Sequence, residues 1–156
     1  MELHIDGWKQ HLCFSAAHFI PQHEHCGILH GHTYVVSCTI EGTLDSKTNM
    51  ILDFSKIKTI LRKLAEKLDH HILIADQHSN ITRETKVIKI KNNNKTYTLP
   101  TEDCIFLPIP STTAEHLASY VLKQLVPQLI DTKNIHRIAI RIDEGLGQGA
   151  TVEQIL

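Results

Sequence analysis

Residues 18–32 read HFIPQHEHCGILHGH and lie between two runs in which apolar and polar residues alternate. The segment holds five histidines and Cys26. Its last three residues, HGH at 30–32, place two imidazoles at positions i and i+2, which lie on the same face of an extended strand. His18 closes the preceding run and is the natural third ligand. Three imidazoles with no fourth ligand at a fixed spacing are typical of a catalytic zinc site that stays open for substrate.

The other two histidines of this segment, His23 and His25, flank a turn. We interpret them as solvated loop residues or as groups that support a ligand. The chain has 12 histidines in all, so several must be surface or satisfied core residues.

Composition predicts one domain over residues 1–156, large enough to bury its own core. A hydrophobic content of 42% with 21% charged residues is ordinary for a soluble globular protein. A net charge of −1 without a basic stripe favours neither nucleic acid nor a membrane as partner. The N-terminus does not resemble a signal peptide, and the four cysteines are scattered, so we expect a reducing, cytoplasmic setting with Cys13 and Cys38 buried.

The spacing of apolar residues predicts seven segments of regular structure. In chain order they are a strand over 8–18, a strand over 31–42, a helix from Asp53 to about Asp69, an exposed hairpin over 86–99, a helix that begins at Thr112, a strand over 135–142 and a closing strand over 150–156. Thr112 and Glu115 have the spacing of a helix capping box. This order favours an α+β fold, in which an antiparallel sheet carries its helices on one face. The sheet edges then need cover, which favours oligomerisation.

Five motifs together resemble the 6-pyruvoyltetrahydropterin synthase family. They are SAAH at 15–18, CGILHGH at 26–32, LDHH at 68–71, TTAE at 112–115 and the strand-borne Glu144, and in this order they span nearly the whole chain. The three residues between Cys26 and the HGH are similar to the 6-carboxytetrahydropterin synthase branch, because mammalian-type members carry a longer interval. Segment 76–108 is longer than in compact members.

The resemblance implies a tunnelling fold. Each subunit would have a four-stranded antiparallel sheet with two helices on one face, and here an inserted hairpin around 86–99. Subunits would close into a barrel as a homo-oligomer, commonly a hexamer of two trimers, with active sites between subunits. This agrees with the need to cover the sheet edges.

The resemblance also implies a role for each candidate residue. His18, His30 and His32 would bind Zn²⁺; Cys26 would be the catalytic base, with His70 as its partner and Asp69 orienting His70; Glu144 and Thr113 would bind the pterin. Other readings remain open, since an Asp-His pair at a helix end is often a C-terminal cap. Glu144 could equally be an exposed strand-end residue, and a capping box would account for Glu115.

The implied activity is that of a zinc-dependent lyase that acts on 7,8-dihydroneopterin triphosphate. In the 6-carboxytetrahydropterin branch the reaction releases acetaldehyde and triphosphate, and the product feeds 7-deazaguanine synthesis, hence queuosine or archaeosine. The alternatives are the sister reaction, which makes 6-pyruvoyltetrahydropterin without cleaving a carbon-carbon bond, and a non-catalytic module that binds zinc and pterin. Cys26 weighs against the module, because a scaffold needs no thiol beside an open metal site.

Overall fold

The computed structural model describes residues 1–21, 23–77, 80–92, 94–129 and 132–156. The strands and α-helices of these residues are, in chain order, β1 Glu2–Ile5, β2 Cys13–His18, β3 His30–Gly42, α1 Phe54–Glu66, β4 His71–Ala75, β5 Ile81–Arg83, β6 Val87–Asn92, β7 Lys95–Pro100, β8 Cys104–Leu107, α2 Ala114–Leu125, β9 Ile135–Glu144 and β10 Gly149–Ile155.

The main sheet has the strand order β10-β9-β3-β2-β4-β8, and β1 pairs with the far end of β3. The four strands predicted from the sequence are β2, β3, β9 and β10, and they pair antiparallel as expected. The sheet has seven strands rather than four, because β4 and β8 extend it in parallel beyond β2, and β1 adds to the edge of β3. These three strands have five residues or fewer. Such short apolar runs give no clear period, so the sequence did not predict them.

Both helices pack on one face of this sheet, as predicted. Asp53 begins α1, and its carboxylate accepts a hydrogen bond of 2.6 Å from the backbone N–H of Ser55. The core between helices and sheet includes Tyr34, Val36, Cys38 and Ile40 of β3, Ile57, Leu61 and Leu64 of α1, and Leu117, Val121 and Leu125 of α2. Each large aliphatic side chain buried there contributes about 1.5–3 kcal/mol. With both helices packed on one face of the main sheet, the predicted α+β fold class is confirmed.

A separate three-stranded sheet, β5-β6-β7, covers the other face of β4 and β8; we call it the inserted sheet. The hairpin predicted around 86–99 is present as β6 and β7, but the prediction that it is exposed is wrong. Ile88 and Ile90 of β6 are completely buried, in a cluster with Ile74 and Phe19. Within the predicted hairpin, Asn93 lies outside the described residues.

The first predicted strand begins later than expected, at Cys13, because residues 7–11 form a turn over β3. Gly7 makes this turn possible, since a Cβ at that position would lie 2.2 Å from the carbonyl oxygen of Val36. The two cysteine predictions have different outcomes. Cys38 is buried as expected, but Cys13 is exposed.

The helices are short. With 13 residues, α1 is about 20 Å long, against roughly 30 Å for the apolar layer of a bilayer. None of the helices in the described ranges is long and apolar enough to span a membrane. The single domain over 1–156 stays a prediction.

Candidate functional site

The imidazoles of His18, His30 and His32 come together where β2 ends and β3 begins. His18 is the register partner of His30, and the alternation of β3 places His32 on the same face. The ring centroids are 4.6 Å apart for His18 and His30, 5.2 Å for His18 and His32, and 4.9 Å for His30 and His32. One ring nitrogen from each lies within 4.8 Å of the others. The three residues predicted to share a metal ion therefore form one cluster.

Hydrogen bonds fix which nitrogen of two rings carries the proton. His18 Nδ1 lies 2.9 Å from the carbonyl oxygen of Thr112, and His30 Nδ1 lies 2.6 Å from that of Ile28. A carbonyl oxygen only accepts, so each Nδ1 donates and each Nε2 keeps a lone pair. The two Nε2 atoms are 3.2 Å apart. Two lone pairs at that distance repel each other unless a cation lies between them, so the donor set fits a bound metal ion.

Burial keeps His18 neutral. Its side chain has no exposed surface, and this desolvation lowers the pKa of His18 from 6.5 to about 4. A neutral imidazole is the form that binds a metal. The cluster thus presents a ligand that is not protonated at neutral pH.

Thr112 supports His18, a role that the sequence did not predict. The predicted capping box is wrong: α2 begins after Thr113, which makes no side-chain cap hydrogen bond. The buried Thr112 hydroxyl instead lies 3.2 Å from His18 Nδ1 and donates to the carbonyl oxygen of Phe19 at 3.2 Å. It bridges segments more than 90 residues apart, for which a local pattern gives no signal.

Glu144 and Thr113 line one small cavity of about 260 Å³, together with Glu115 and Ile20. Glu144 Oε1 is buried, and among the described residues it has no hydrogen-bond partner. Burial raises the pKa of the Glu144 carboxyl, with His32 acting in the opposite direction. An unpartnered buried acceptor at the wall of a cavity is suited to a ligand that brings its own N–H donors.

Tyr34 lies between Glu144 and the histidines, another contribution that the sequence did not single out. It pairs with Glu144 across β3 and β9, and its ring centroid is 5.6 Å from that of His32. Burial and the negative charge of Glu144 raise the pKa of the Tyr34 hydroxyl. Tyr34 therefore stays protonated, and it adjoins both Glu144 and the histidine cluster.

Cys26 lies half-buried in the loop between β2 and β3. Its carbonyl oxygen accepts from the N–H of Ile20 at 2.6 Å, and its own N–H donates to His23 Nδ1 at 3.0 Å. The histidine that we interpreted as a loop residue thus holds the turn around Cys26. These bonds fix the backbone and leave the thiol free for chemistry.

Asp69 and His70 form a pair in the turn between α1 and β4, beside Ser15 of β2. Asp69 Oδ2 lies 2.7 Å from His70 Nδ1, and Asp69 Oδ1 accepts from the N–H of Ser15 at 2.7 Å. This N–H lowers the pKa of Asp69, and His70 adds to the effect. The His70 side chain is 83% exposed, beside a cavity of about 540 Å³ that is also lined by Ala17, Thr33 and His32 of the histidine cluster.

Within the described part of one chain, the hydrogen bonds and ion pairs do not join Cys26 to Asp69 or His70. One chain thus brings together the three histidines, and separately Asp69 with His70, but not the complete set of predicted catalytic residues.

Comparisons with known proteins identify the family of the chain. Residues 8–154 match the family model described as 6-pyruvoyl tetrahydropterin synthase. A Methanocaldococcus jannaschii protein, provisionally named 6-carboxy-5,6,7,8-tetrahydropterin synthase, is 38% identical over 100% of this chain and 98% of its own. The 6-carboxy-5,6,7,8-tetrahydropterin synthase of Haemophilus influenzae is 32% identical over 72% of this chain and 76% of its own.

Solved structures extend the similarity to the fold. The 6-pyruvoyltetrahydropterin synthase of Plasmodium vivax, in a mutant that carries cysteine at a catalytic glutamate, superposes with a TM-score of 0.91 at 29% identity, over 100% of this chain and 98% of its own. The Plasmodium falciparum 6-pyruvoyl tetrahydropterin synthase gives 0.89 at 31% identity, with the same coverage.

Proposed function

The chain belongs to the 6-pyruvoyl tetrahydropterin synthase family, and on this basis we propose that it is a zinc-dependent lyase that makes 6-carboxy-5,6,7,8-tetrahydropterin. The substrate would be 7,8-dihydroneopterin triphosphate, and the other products acetaldehyde and triphosphate. The observation that carries the proposal is the cluster of His18, His30 and His32 beside the Glu144 cavity. The similarity to proteins named for the 6-carboxy product, over the full length in one case and about three quarters in the other, supports this branch of the family.

The metal would be Zn²⁺, held by the three histidines. Three imidazole nitrogens with an open fourth position are a common catalytic zinc set. When bound, zinc polarises the hydroxyl oxygens of the substrate side chain and lowers the pKa of the protons to be removed. The hydrogen bonds from His18 to Thr112 and from His30 to Ile28 keep each Nε2 directed at that position.

Glu144 would bind the pterin ring. Its unpartnered Oε1, with the second carboxylate oxygen, can accept two parallel hydrogen bonds from the 2-amino group and N3–H of a pterin. Thr113 lines the same cavity and would contact the ring edge. In this arrangement the pterin ring would lie beside Glu144. The hydroxyl groups of the substrate side chain would then lie near the three histidines.

Cys26 would be the catalytic base: its Sγ, as thiolate, would accept a proton from the substrate side chain. His70 would be its partner: Asp69 holds His70 Nδ1, so Nε2 remains free to exchange a proton with the thiol. Since no hydrogen bond or ion pair among the described residues of one chain joins Cys26 to Asp69 or His70, we propose that the pair reaches Cys26 from a neighbouring subunit. A homo-oligomer, a hexamer of two trimers with active sites between subunits, supplies that arrangement.

The four cysteines are free thiols, which supports a reducing, cytoplasmic setting. There the product would enter 7-deazaguanine synthesis, hence queuosine or archaeosine. The enzyme itself would bind neither nucleic acid nor a membrane.

The second candidate is the sister reaction, in which triphosphate leaves and the carbon chain survives as 6-pyruvoyltetrahydropterin. The names of the Plasmodium structures, with TM-scores of 0.91 and 0.89, favour it. Incubating the zinc-loaded protein with 7,8-dihydroneopterin triphosphate separates the two. Acetaldehyde in step with 6-carboxytetrahydropterin supports the first, and triphosphate release without acetaldehyde supports the second. No turnover would favour the non-catalytic binding module.

The role of Cys26 has its own test, with Cys13→Ala as control because Cys13 is an exposed thiol outside the site. Cys26→Ala should keep its zinc and lose about a hundredfold or more in kcat, as expected for loss of a general base. Turnover equal to that of Cys13→Ala would refute the role.

A further inference from the structure

Asn92 is a buried polar residue at the end of an apolar strand face. Along β6, Ile88, Ile90 and Asn92 point inward and alternate with exposed Lys89 and Lys91. The Asn92 side chain is 3% exposed, and its Nδ2 donates to the carbonyl oxygen of Gly27 at 2.6 Å. Gly27 directly follows Cys26, so this bond joins the inserted sheet to the loop that carries the proposed base.

Tyr97, on the neighbouring strand β7, makes a second bond to the same loop. Its hydroxyl oxygen accepts from the backbone N–H of Leu29 at 3.3 Å. Its ring stacks on Phe19, with centroids 5.7 Å apart and planes inclined by 17°. Phe19 directly follows His18, and Leu29 directly precedes His30.

The segment between Cys26 and His30 is thus held at successive residues. Asn92 fixes the carbonyl of Gly27, the His30 ring fixes that of Ile28, and Tyr97 fixes the N–H of Leu29. Two of these three bonds come from the inserted sheet.

We propose that Asn92 and Tyr97 are positioning residues for Cys26, and that the inserted sheet thereby sets the place of the thiol relative to the metal cluster. The inference rests on the proposed function, in which Cys26 is the base. The proposal gives the inserted sheet a function beyond covering β4 and β8.

The test is Asn92→Asp, with Asn94→Asp as its matched control. Asn92→Asp keeps the shape of the side chain but replaces the donor with an acceptor, so the Gly27 carbonyl loses its bond. Asn94 is an exposed residue just after the same strand, and the same substitution there introduces the same charge. In the zinc-loaded protein, the alkylation rate of Cys26 by iodoacetamide is measured at one pH by peptide mass spectrometry, with exposed Cys13 as internal reference.

Asn92→Asp should change the Cys26 rate about threefold or more and lower kcat about tenfold, because small displacements of a reacting group are costly. KM and zinc content should stay within about twofold of the control, since substrate and metal contacts are intact. Loss of packing alone would lower the folded fraction without this split between kcat and KM. If Asn92→Asp does not fold, Tyr97→Phe removes only the hydroxyl, keeps the ring on Phe19, and should shift both readouts in the same direction.

A Cys26 rate and a kcat within about twofold of the control, in the folded variant tested, would overturn the proposal. Absence of turnover in the unmodified protein would refute the proposed function instead. The alkylation comparison then still decides whether the inserted sheet places Cys26: a changed rate supports the positioning, and an unchanged rate overturns it.

Discussion

Replacing Thr112 with valine should weaken zinc binding without removing a ligand. The substitution keeps the shape of the side chain and deletes the hydroxyl, which lies 3.2 Å from His18 Nδ1 and donates to the Phe19 carbonyl at 3.2 Å. The backbone carbonyl of Thr112 still accepts from His18 Nδ1 at 2.9 Å. His18 therefore keeps its tautomer but loses part of its orientation.

Two buried hydrogen bonds of ordinary strength are lost, so the free energy of unfolding of the metal-free protein should fall by about 2 kcal/mol. Changes to groups that orient a metal ligand cost roughly 10–100-fold in affinity. Because the carbonyl bond survives, we expect the lower end, about tenfold, which corresponds to roughly 1.4 kcal/mol.

Competition with a chromophoric chelator measures the zinc affinity, and urea unfolding measures the stability. Thr112→Ser is the control, since it keeps the hydroxyl and loses only a methyl group. Zinc affinity in Thr112→Val equal to that in Thr112→Ser, with an equally reduced stability in both, would refute the reasoning that the hydroxyl orients His18.

Three further predictions concern the cavity, the buried histidine and the inserted sheet. Glu144→Gln should raise KM about tenfold or more at unchanged zinc content, as expected for loss of a charged hydrogen-bond acceptor; an unchanged KM would contradict the pterin-binding role. In the metal-free protein, His18 takes up a proton near pH 6.5 when unfolded but only near 4 when folded, so acidification from pH 6.5 to 4 should cost stability. The cost is up to about 3 kcal/mol at about 1.4 kcal/mol per pKa unit, and urea unfolding of His18→Asn should show a shallower pH dependence; parallel curves would count against it. Ile88→Ala should lower the free energy of unfolding by about 2–5 kcal/mol, as expected for a buried isoleucine, while Lys91→Ala on the exposed face should change it by less than about 0.5 kcal/mol; equal effects would mean that the inserted sheet does not pack as described.

The histidine cluster could be predicted from the sequence because its geometry is local. His30 and His32 share a strand face by alternation alone, and His18 ends the strand that pairs with theirs. The buried face of β6 also had a local signal, since Ile88 and Ile90 alternate with lysines in the pattern of a half-buried strand. The prediction of an exposed hairpin overlooked that period.

Other features had no local signal. In the sequence, Thr112 is as consistent with a helix N-terminus as with a hydrogen-bond partner of His18. Only the tertiary fold brings it into contact with Phe19 and His18. The same holds for Asn92 and Gly27, which are 65 residues apart. The short strands β4 and β8 acquire their pairing from β2 and from each other rather than from their own periodicity.

The backbone at His70 limits which amino acids can occupy that position. Its φ is +58°, in the left-handed region that glycine, asparagine, aspartate and histidine tolerate better than other residues. Among these four, only histidine titrates near neutral pH without a shifted pKa. Alanine at this position would therefore add conformational strain to any loss of chemistry, whereas asparagine would isolate the chemistry. The conformation of this turn therefore restricts which residues can replace His70 during evolution, independently of any catalytic role.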